Sequence, residues 1–350
     1  MTFNNILLFI IIVFILYLLL STIVYKYNSI QEGLFDTKNS EIRSVSYNST
    51  SSGISNYNGE LYLPLKEYII KSSYNSAISG KYVSKDMVKY VLSRGCRLLD
   101  FEVLMINDIP YVTYTTDNTY KTYDTENKVL LDDILSAAST FGFSYPSPNS
   151  KDPLFINIRL KCNEDDLSIA LTAVSKSVDF ALSGKLYDKK ITNRTTMNDI
   201  NNRVVLMFDN SIHRNYQNQI MCDPMEICYD LSKQINLQNG SLLSKYSTMD
   251  LDEKDVQIDS NDNVTLRNMS IAVPEYYNEN GKIGSLFAST FVNHISFIKS
   301  IQDYGIQMLC YRYYMRDSNL QECEDFFKHF KSAFIPFNIA LPYINRLQEL

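Results

Sequence analysis

The chain is 350 residues long, 45% hydrophobic and 21% charged, with 26 Tyr, 18 Phe and no Trp. That aromatic content excludes a disordered chain, and the length suffices for one large domain or two small ones with an anchor to spare. The formal net charge of -6 is spread along the chain with no basic stripe, which excludes a nucleic-acid partner.

At the N-terminus, Ile6–Val24 reads "ILLFIIIVFILYLLLSTIV" and carries no charge. It has the length of a helix that crosses a bilayer. The preceding "MTFNN" has no Lys or Arg and no small-x-small cleavage site follows, so residues 1–25 are expected to be a retained single-pass anchor. Lys26, just past the span, leans the topology towards a cytoplasmic C-terminal bulk. Asn48, Asn193, Asn239, Asn263 and Asn268 begin N-x-[ST] sequons, but an Asn-rich chain makes these by chance, and the side of the membrane stays open. Residues 26–60 are polar and rich in Ser, Asn and Gly, a composition expected of a flexible stalk.

From Glu60 on, strand-like and helix-like patterns alternate. "EYIIKSS" reads as a strand. "SKDMVKYVLSRG" reads as a helix with Ser84 as N-cap, Met87, Val88, Val91 and Leu92 on one face, and Gly95 as the stop. "CRLLDFEV" and "PYVTY" read as strands, "KVLLDDILSAASTFGF" as an amphipathic helix, "LFINIRL" as a strand, "DDLSIALTAVSKSVDFAL" as a helix and "RVVLMFD" as a strand. A polar, loop-rich segment follows. Then come the strand "NMSIAVP", a helix in "SLFASTFVNHISFIKSIQDYG", the strand "IQMLCYRYY" and the helix "NLQECEDFFKHF". This alternation predicts an α/β fold, a TIM-type (β/α)8 barrel over residues 61–343, with residues 344–350 as a tail. A doubly wound open sheet is the alternative, but no Gly-rich phosphate turn follows the first strand.

The cysteines Cys96, Cys162, Cys222, Cys228, Cys310 and Cys323 form no CxxC and have no zinc spacing. Cys96, Cys162 and Cys310 sit in apolar runs as buried small hydrophobes. Cys222 and Cys228 bracket "DPMEI", where a disulfide would close a small loop.

Chemistry in such a barrel sits at the C-terminal ends of its strands. Asn157, Arg159 and Lys161 alternate along "LFINIRLK" and share one face, and Asp209 ends "RVVLMFD". Lys161 and Asp209 are assigned to substrate binding.

These strand ends resemble the X domain of phosphatidylinositol-specific phospholipase C, a (β/α)8 phosphodiesterase family. Ser72-Ser73-Tyr74-Asn75-Ser76 with Gly80 stands where the family has SSHNT and Gly. Gly95-Cys96-Arg97 followed by Asp100 and Glu102 matches GCR-x-x-E-x-D, with the acids in swapped order. Pro110–Thr115 fills the place of P-x-x-y-H-G. The resemblance runs over roughly Leu61–Tyr343.

The resemblance implies cleavage of a phosphodiester by two histidines, one accepting the proton of the inositol 2-hydroxyl and one protonating the leaving oxygen. Both matching positions are tyrosine, Tyr74 and Tyr114. Imidazole has a pKa of about 6.5 and phenol about 10, so a phenol is a poor proton acceptor at neutral pH. The family's calcium set is matched by Asn75, Asp100 and Glu102, but its fourth position holds Arg159. Two readings stand there: Ca²⁺ held with water, or an Arg–carboxylate cluster without metal. His213, His294 and His329 lie outside the motif, His213 expected in a surface loop and the others within helices.

The expectation is therefore a membrane-anchored, catalytically degenerate X-domain-like protein with a pocket for a phosphoinositide headgroup or a partner. The alternatives are an active phosphoric diester hydrolase recruiting Arg159, Asp209 or His213, and a structural membrane protein with a vestigial barrel mouth.

Overall fold

The computed structural model describes residues 16–17, 20, 37–46, 52–220, 228–240, 242–248, 251, 268–274 and 294–348. The expected anchor, Ile6–Val24, lies outside the described residues apart from Leu16, Tyr17 and Leu20. No helix among the described residues is long and apolar enough to cross a membrane. The chain divides into two compact units, Met1–Asn48 and Ser49–Leu350.

In the first unit residues 37–46 are helical, inside the stretch expected to be a flexible stalk. That stretch, "TKNSEIRSVS", contains no Gly or Pro, and Ile42 and Val45 share a helix face three residues apart. The stalk expectation fails at its other end as well, because residues 52–60 belong to the second unit.

The second unit is a nearly closed parallel barrel. Its strands are β1 (Tyr68–Ile70), β2 (Ser72–Ser73), β3 (Leu98–Ile106), β4 (Ile109–Val112), β5 (Val129–Leu130), β6 (Leu154–Lys161), β7 (Val204–Asp209), β8 (Leu237–Gln238), β9 (Leu243–Ser247), β10 (Met269–Val273), β11 (Met308–Tyr311) and β12 (Phe334–Pro336). The staves follow the order β8-β7-β6-β3-β2-β11-β10-β9. Between β8 and β9 the seam is a single parallel bridge, Asn239 to Leu243. The helices are α1 (Lys85–Ser93), α2 (Leu131–Gly142), α3 (Leu167–Leu182), α4 (Met197–Ile200), α5 (Leu231–Gln234), α6 (Phe297–Tyr304), α7 (Ser318–Phe330) and α8 (Phe337–Gln348).

Local chemistry sets these elements. Ser84 caps α1 by accepting from the Asp86 N–H, and Met87, Val88, Val91 and Leu92 are its buried face. All eight residues of β6 are buried, which suits a central stave flanked by β3 and β7.

Three expectations need correcting. "PYVTY" is not a stave: β4 runs antiparallel to β3, Val103 facing Val112. Its link is the two-residue turn Asn107-Asp108, with φ of 51° and 62°, and such a turn can only return the chain antiparallel. The segment read as loop supplies two staves, β8 and β9, which are short and half-exposed and so lack a hydrophobic period. The closing helix continues past Tyr343 to Gln348 because Ile344 is buried, so residues 344–348 are not a tail.

Residues 52–65 line the floor of the barrel, where its strands begin. Lys151 N–H donates to Asn56 Oδ1 (2.8 Å) and Tyr57 N–H to Asp152 Oδ1 (2.8 Å), both just ahead of β6. Leu65 N–H donates to Thr195 O (2.8 Å) on the approach to β7. Beside them β1 pairs antiparallel with β12. Arg97 also serves the floor. Its guanidinium is fully buried and donates to the carbonyls of Gly142 (2.9 Å), Pro153 (3.1 Å) and Asp152 (2.6 Å). The Arg of the GCR motif is thus a structural clamp between loops. The cysteines Cys96, Cys162, Cys310 and Cys323 are free and buried. Cys228 is disulfide-bonded, and Cys222 lies outside the described residues.

His294 lies outside a helix, contrary to expectation, because Ser296 caps α6 and starts it at Phe297. Its ring is buried between α7 and β11. Nδ1 lies 2.9 Å from Asp317 Oδ2, and Nε2 accepts the Arg312 N–H at 3.0 Å. Burial, with Arg312 nearby, holds the imidazole below its ordinary value. Burial works to raise Asp317, but its bonds with His294 and the Leu320 N–H outweigh this and bring it down to about 2. A depressed histidine contributes stability that is present above its unfolded value of about 6.5 and is lost as pH falls through the folded value. The melting temperature is therefore expected to fall on acidification below about pH 6.5, and less steeply in His294→Gln. Parallel melting curves from pH 7 to 4 check this; identical slopes would refute it.

Candidate functional site

The site is built where β2, β3 and β6 end. The β3–β6 register sets Asp100 beside Asn157 and Glu102 beside Arg159, and the β6–β7 register sets Arg159 beside Asp209. Paired residues of parallel strands point to the same side, so the inward face here carries three acids, an amide and a cation. Asp100, Glu102 and Arg159 are all buried.

Arg159 binds this group together. Its Nε donates to Asp100 Oδ1 at 3.0 Å, and one terminal nitrogen donates to Glu102 Oε2 at 2.7 Å. The other terminal nitrogen donates to Asp100 Oδ2 at 3.0 Å and to Asn75 Oδ1 at 2.7 Å. Tyr74 covers the cation's face, its ring centroid 4.6 Å from Arg159 Cζ. The strong donor fork of Arg suits this planar set of carboxylates as Lys would not.

The chain turns sharply after β2 to deliver Asn75. Its φ of 44° is left-handed, a conformation that Asn tolerates better than most residues. Asn75 N–H donates to Asp100 Oδ2 at 3.1 Å. Because its Oδ1 must face the guanidinium, its Nδ2 is left as a buried donor without a hydrogen-bond acceptor. Such an atom costs about 1–3 kcal/mol unless a ligand or water oxygen meets it.

The remaining carboxylate oxygens are also taken. Asn157 Nδ2 donates to Asp100 Oδ1 at 2.8 Å, and Thr115 N–H donates to Glu102 Oε1 at 2.8 Å. A divalent ion would need these oxygens, and each already accepts from the protein, with a guanidinium among them. The residues as folded do not fit a calcium ion. Among the described residues no group of three His, Cys, Asp or Glu side chains is arranged to hold a metal.

Tyr114 is buried and immediately precedes Thr115, whose N–H donates to Glu102 Oε1. Asp209 is turned across the seam to β9, paired with Lys245 Nζ and accepting the Ser211 N–H at 3.0 Å. Lys161 is buried on the Arg159 face of β6 and enters no ion pair among the described residues.

Sequence reasoning missed Tyr314. Burial pushes its phenol up to about 12, against the pull of Arg312 and Arg159, and it senses Glu102. It is thus protonated at neutral pH and able only to donate to an anion. Its place just past the end of β11 was the available signal. His213 is buried rather than in a surface loop, and both its ring nitrogens are engaged by Glu164 and Cys162.

Residues 61–209 match the family model for the phosphatidylinositol-specific phospholipase C X domain. Comparison with curated proteins finds no match. Among solved structures the chain is similar to L. pealei PLC21, at 15% identity over 83% of this chain and 39% of that one, with a TM-score of 0.57. S. officinalis PLC21 aligns at 15% identity over 79% of this chain and 37% of that one, also with a TM-score of 0.57. The chain thus spans less than two fifths of the length of each of these relatives. At such identity the likeness shows the shared barrel. Residues 61–209 thus form an X-domain-like segment, and this match together with the shared barrel supports a divergent X-domain-like member.

Proposed function

We propose that this is a membrane-anchored X-domain-like protein whose barrel has lost efficient phosphodiester hydrolysis and keeps its mouth as a binding pocket for a phosphorylated headgroup. The observation that carries this reading is the saturated Arg159. Its guanidinium neutralises Asp100 and Glu102 and occupies the oxygens that a metal would take. Tyr74, at the place of a proton-accepting imidazole, packs its ring on that cation instead. What remains near the cluster are donors: the orphan Asn75 Nδ2, the Lys161 ammonium and the Tyr314 hydroxyl. Donors without acceptors suit a phosphate, which brings only acceptor oxygens at neutral pH.

The second reading is an active, metal-independent phosphodiesterase. A fixed cation among retained acids supports it, since Arg159 would face charge developing on a phosphate. It needs a proton acceptor, and neither Tyr74 nor the raised Tyr314 is one at neutral pH.

Titration of inositol 1-phosphate into the detergent-solubilised full chain tests the pocket. Binding is expected to be the same with Ca²⁺ and with chelator, and about tenfold weaker in Lys161→Ala, a loss of about 1.4 kcal/mol. No measurable binding, or binding indifferent to Lys161, would remove the headgroup reading.

A further inference from the structure

Beside the Arg159 cluster, a further group of reactive side chains among the described residues is left without a role. Cys162 follows β6, Glu164 lies two residues on in a 3₁₀ turn (Glu164–Asp166), and His213 lies in the loop after β7. His213 Nδ1 is 2.9 Å from Glu164 Oε1, and Nε2 is 3.5 Å from Cys162 Sγ. We propose that Cys162, His213 and Glu164 form a thiol–imidazole–carboxylate triad, a second reactive site that takes acyl groups from activated carboxylic esters.

The tautomer follows from the partners. A carboxylate only accepts, so the hydrogen sits on Nδ1 and Nε2 is the bare acceptor facing the thiol. This is the nucleophile, base and orienter arrangement at hydrogen-bond reach. Burial pushes the Cys162 thiol up to about 12, with Asp166 and Glu164 adding to it. The thiol is therefore protonated at rest, and its reactivity depends on a base that removes the proton as the bond forms. The charged and titratable groups around it are Glu164 and Asp166 on the same turn, Tyr120 from the loop after β4, and Arg214 beside His213. Cys310 Sγ, by contrast, faces the carbonyl of Met308.

A cavity of about 350 Å³ opens on Glu164 and His213, lined also by Ser211, Arg214 and Asn215, while Cys162 lies outside its lining. Cys162 itself is 3% exposed beneath the ring. That burial calls for a small acyl group as the probe. In the proposed step Sγ attacks the ester carbonyl carbon and its proton passes to Nε2. The carbon–oxygen bond then breaks, and the leaving oxygen takes that proton. The products are a thioester on Cys162 and a free alcohol, with no change of oxidation state.

The test is acetylation of the full chain by p-nitrophenyl acetate, read by peptide mass mapping. Cys162 is expected to react at least about tenfold faster than Cys96, Cys310 and Cys323, and His213→Gln to slow it about 10²-fold. Glu164→Gln is expected to slow it less. The wild-type pH–rate profile should contain an ionisation that His213→Gln abolishes, a change that a merely structural histidine would not produce. Equal reaction at all four thiols, or reaction only after denaturation, would overturn the proposal. So would a His213→Gln rate equal to the wild type's. The comparison among thiols needs no variant, so it holds even if His213→Gln fails to fold.

Discussion

Arg159→Ala is expected to destabilise the barrel by about 3–5 kcal/mol, as removal of one member of a buried ionic cluster does. Asp100 and Glu102 are buried, with 0% and 2% of their surface exposed, and the guanidinium is their only cation among the described ion pairs. Alanine leaves two carboxylates facing each other across a void, and Tyr74 loses the cation beneath its ring. Arg159→Lys should recover only part of the loss, since one ammonium cannot reproduce the fork that reaches Asp100, Glu102 and Asn75 together. Urea denaturation of the three proteins measures this. A second arm uses the same variant. With the guanidinium gone, Asn75 Oδ1 and the two carboxylates are free to converge on a cation, and Ca²⁺ at 100 times its dissociation constant would restore about 2.7 kcal/mol. Wild type should show no such gain. A loss below about 1 kcal/mol in Arg159→Ala would mean that the cluster is not the keystone described here.

Hydrolysis of phosphatidylinositol is expected to run at least about 10³-fold below that of a barrel bearing both imidazoles, with and without Ca²⁺. General acid and base groups contribute about 10²–10⁴-fold each and act as a unit, so their losses do not simply multiply. Tyr74 is held against Arg159 and Tyr114 is buried beside the Thr115 contact to Glu102, so neither is placed as a free base. Release of water-soluble inositol phosphate from mixed micelles, with chelator as a parallel arm, gives the rate. Robust turnover that disappears in Asp100→Ala would establish the active alternative.

The sequence exposed those parts of the fold that rest on local rules. The Ser84 cap and the Met87, Val88, Val91, Leu92 stripe fix α1 through contacts within a few residues. Alternation in β6 is a property of the strand itself, so Asn157, Arg159 and Lys161 could be placed on one face before any partner was known. The residues that failed depend on distant partners. Nothing local distinguishes β4 from a stave; its direction follows from the pair Asn107 and Asp108 in left-handed conformation. β8 and β9 are short and half-exposed, and their neighbours hold them. His213 looked like a loop histidine because Cys162 lies 51 residues away in the chain. The family motif marked Arg97 as notable but not why, since its carbonyl acceptors lie 45–56 residues downstream.

The stretch that lines the barrel floor has a geometric consequence. Asn56 and Tyr57 are held against the loop that precedes β6, while Arg159 and its acids sit where that strand ends. Strand β6 is eight residues long, so the entry of the chain and the pocket occupy opposite poles, about 25 Å apart at 3.3 Å per residue. Within the second unit the described chain therefore enters at the pole remote from Arg159. Immobilised through a tag placed directly ahead of residue 52, the barrel alone would present its pocket away from the support.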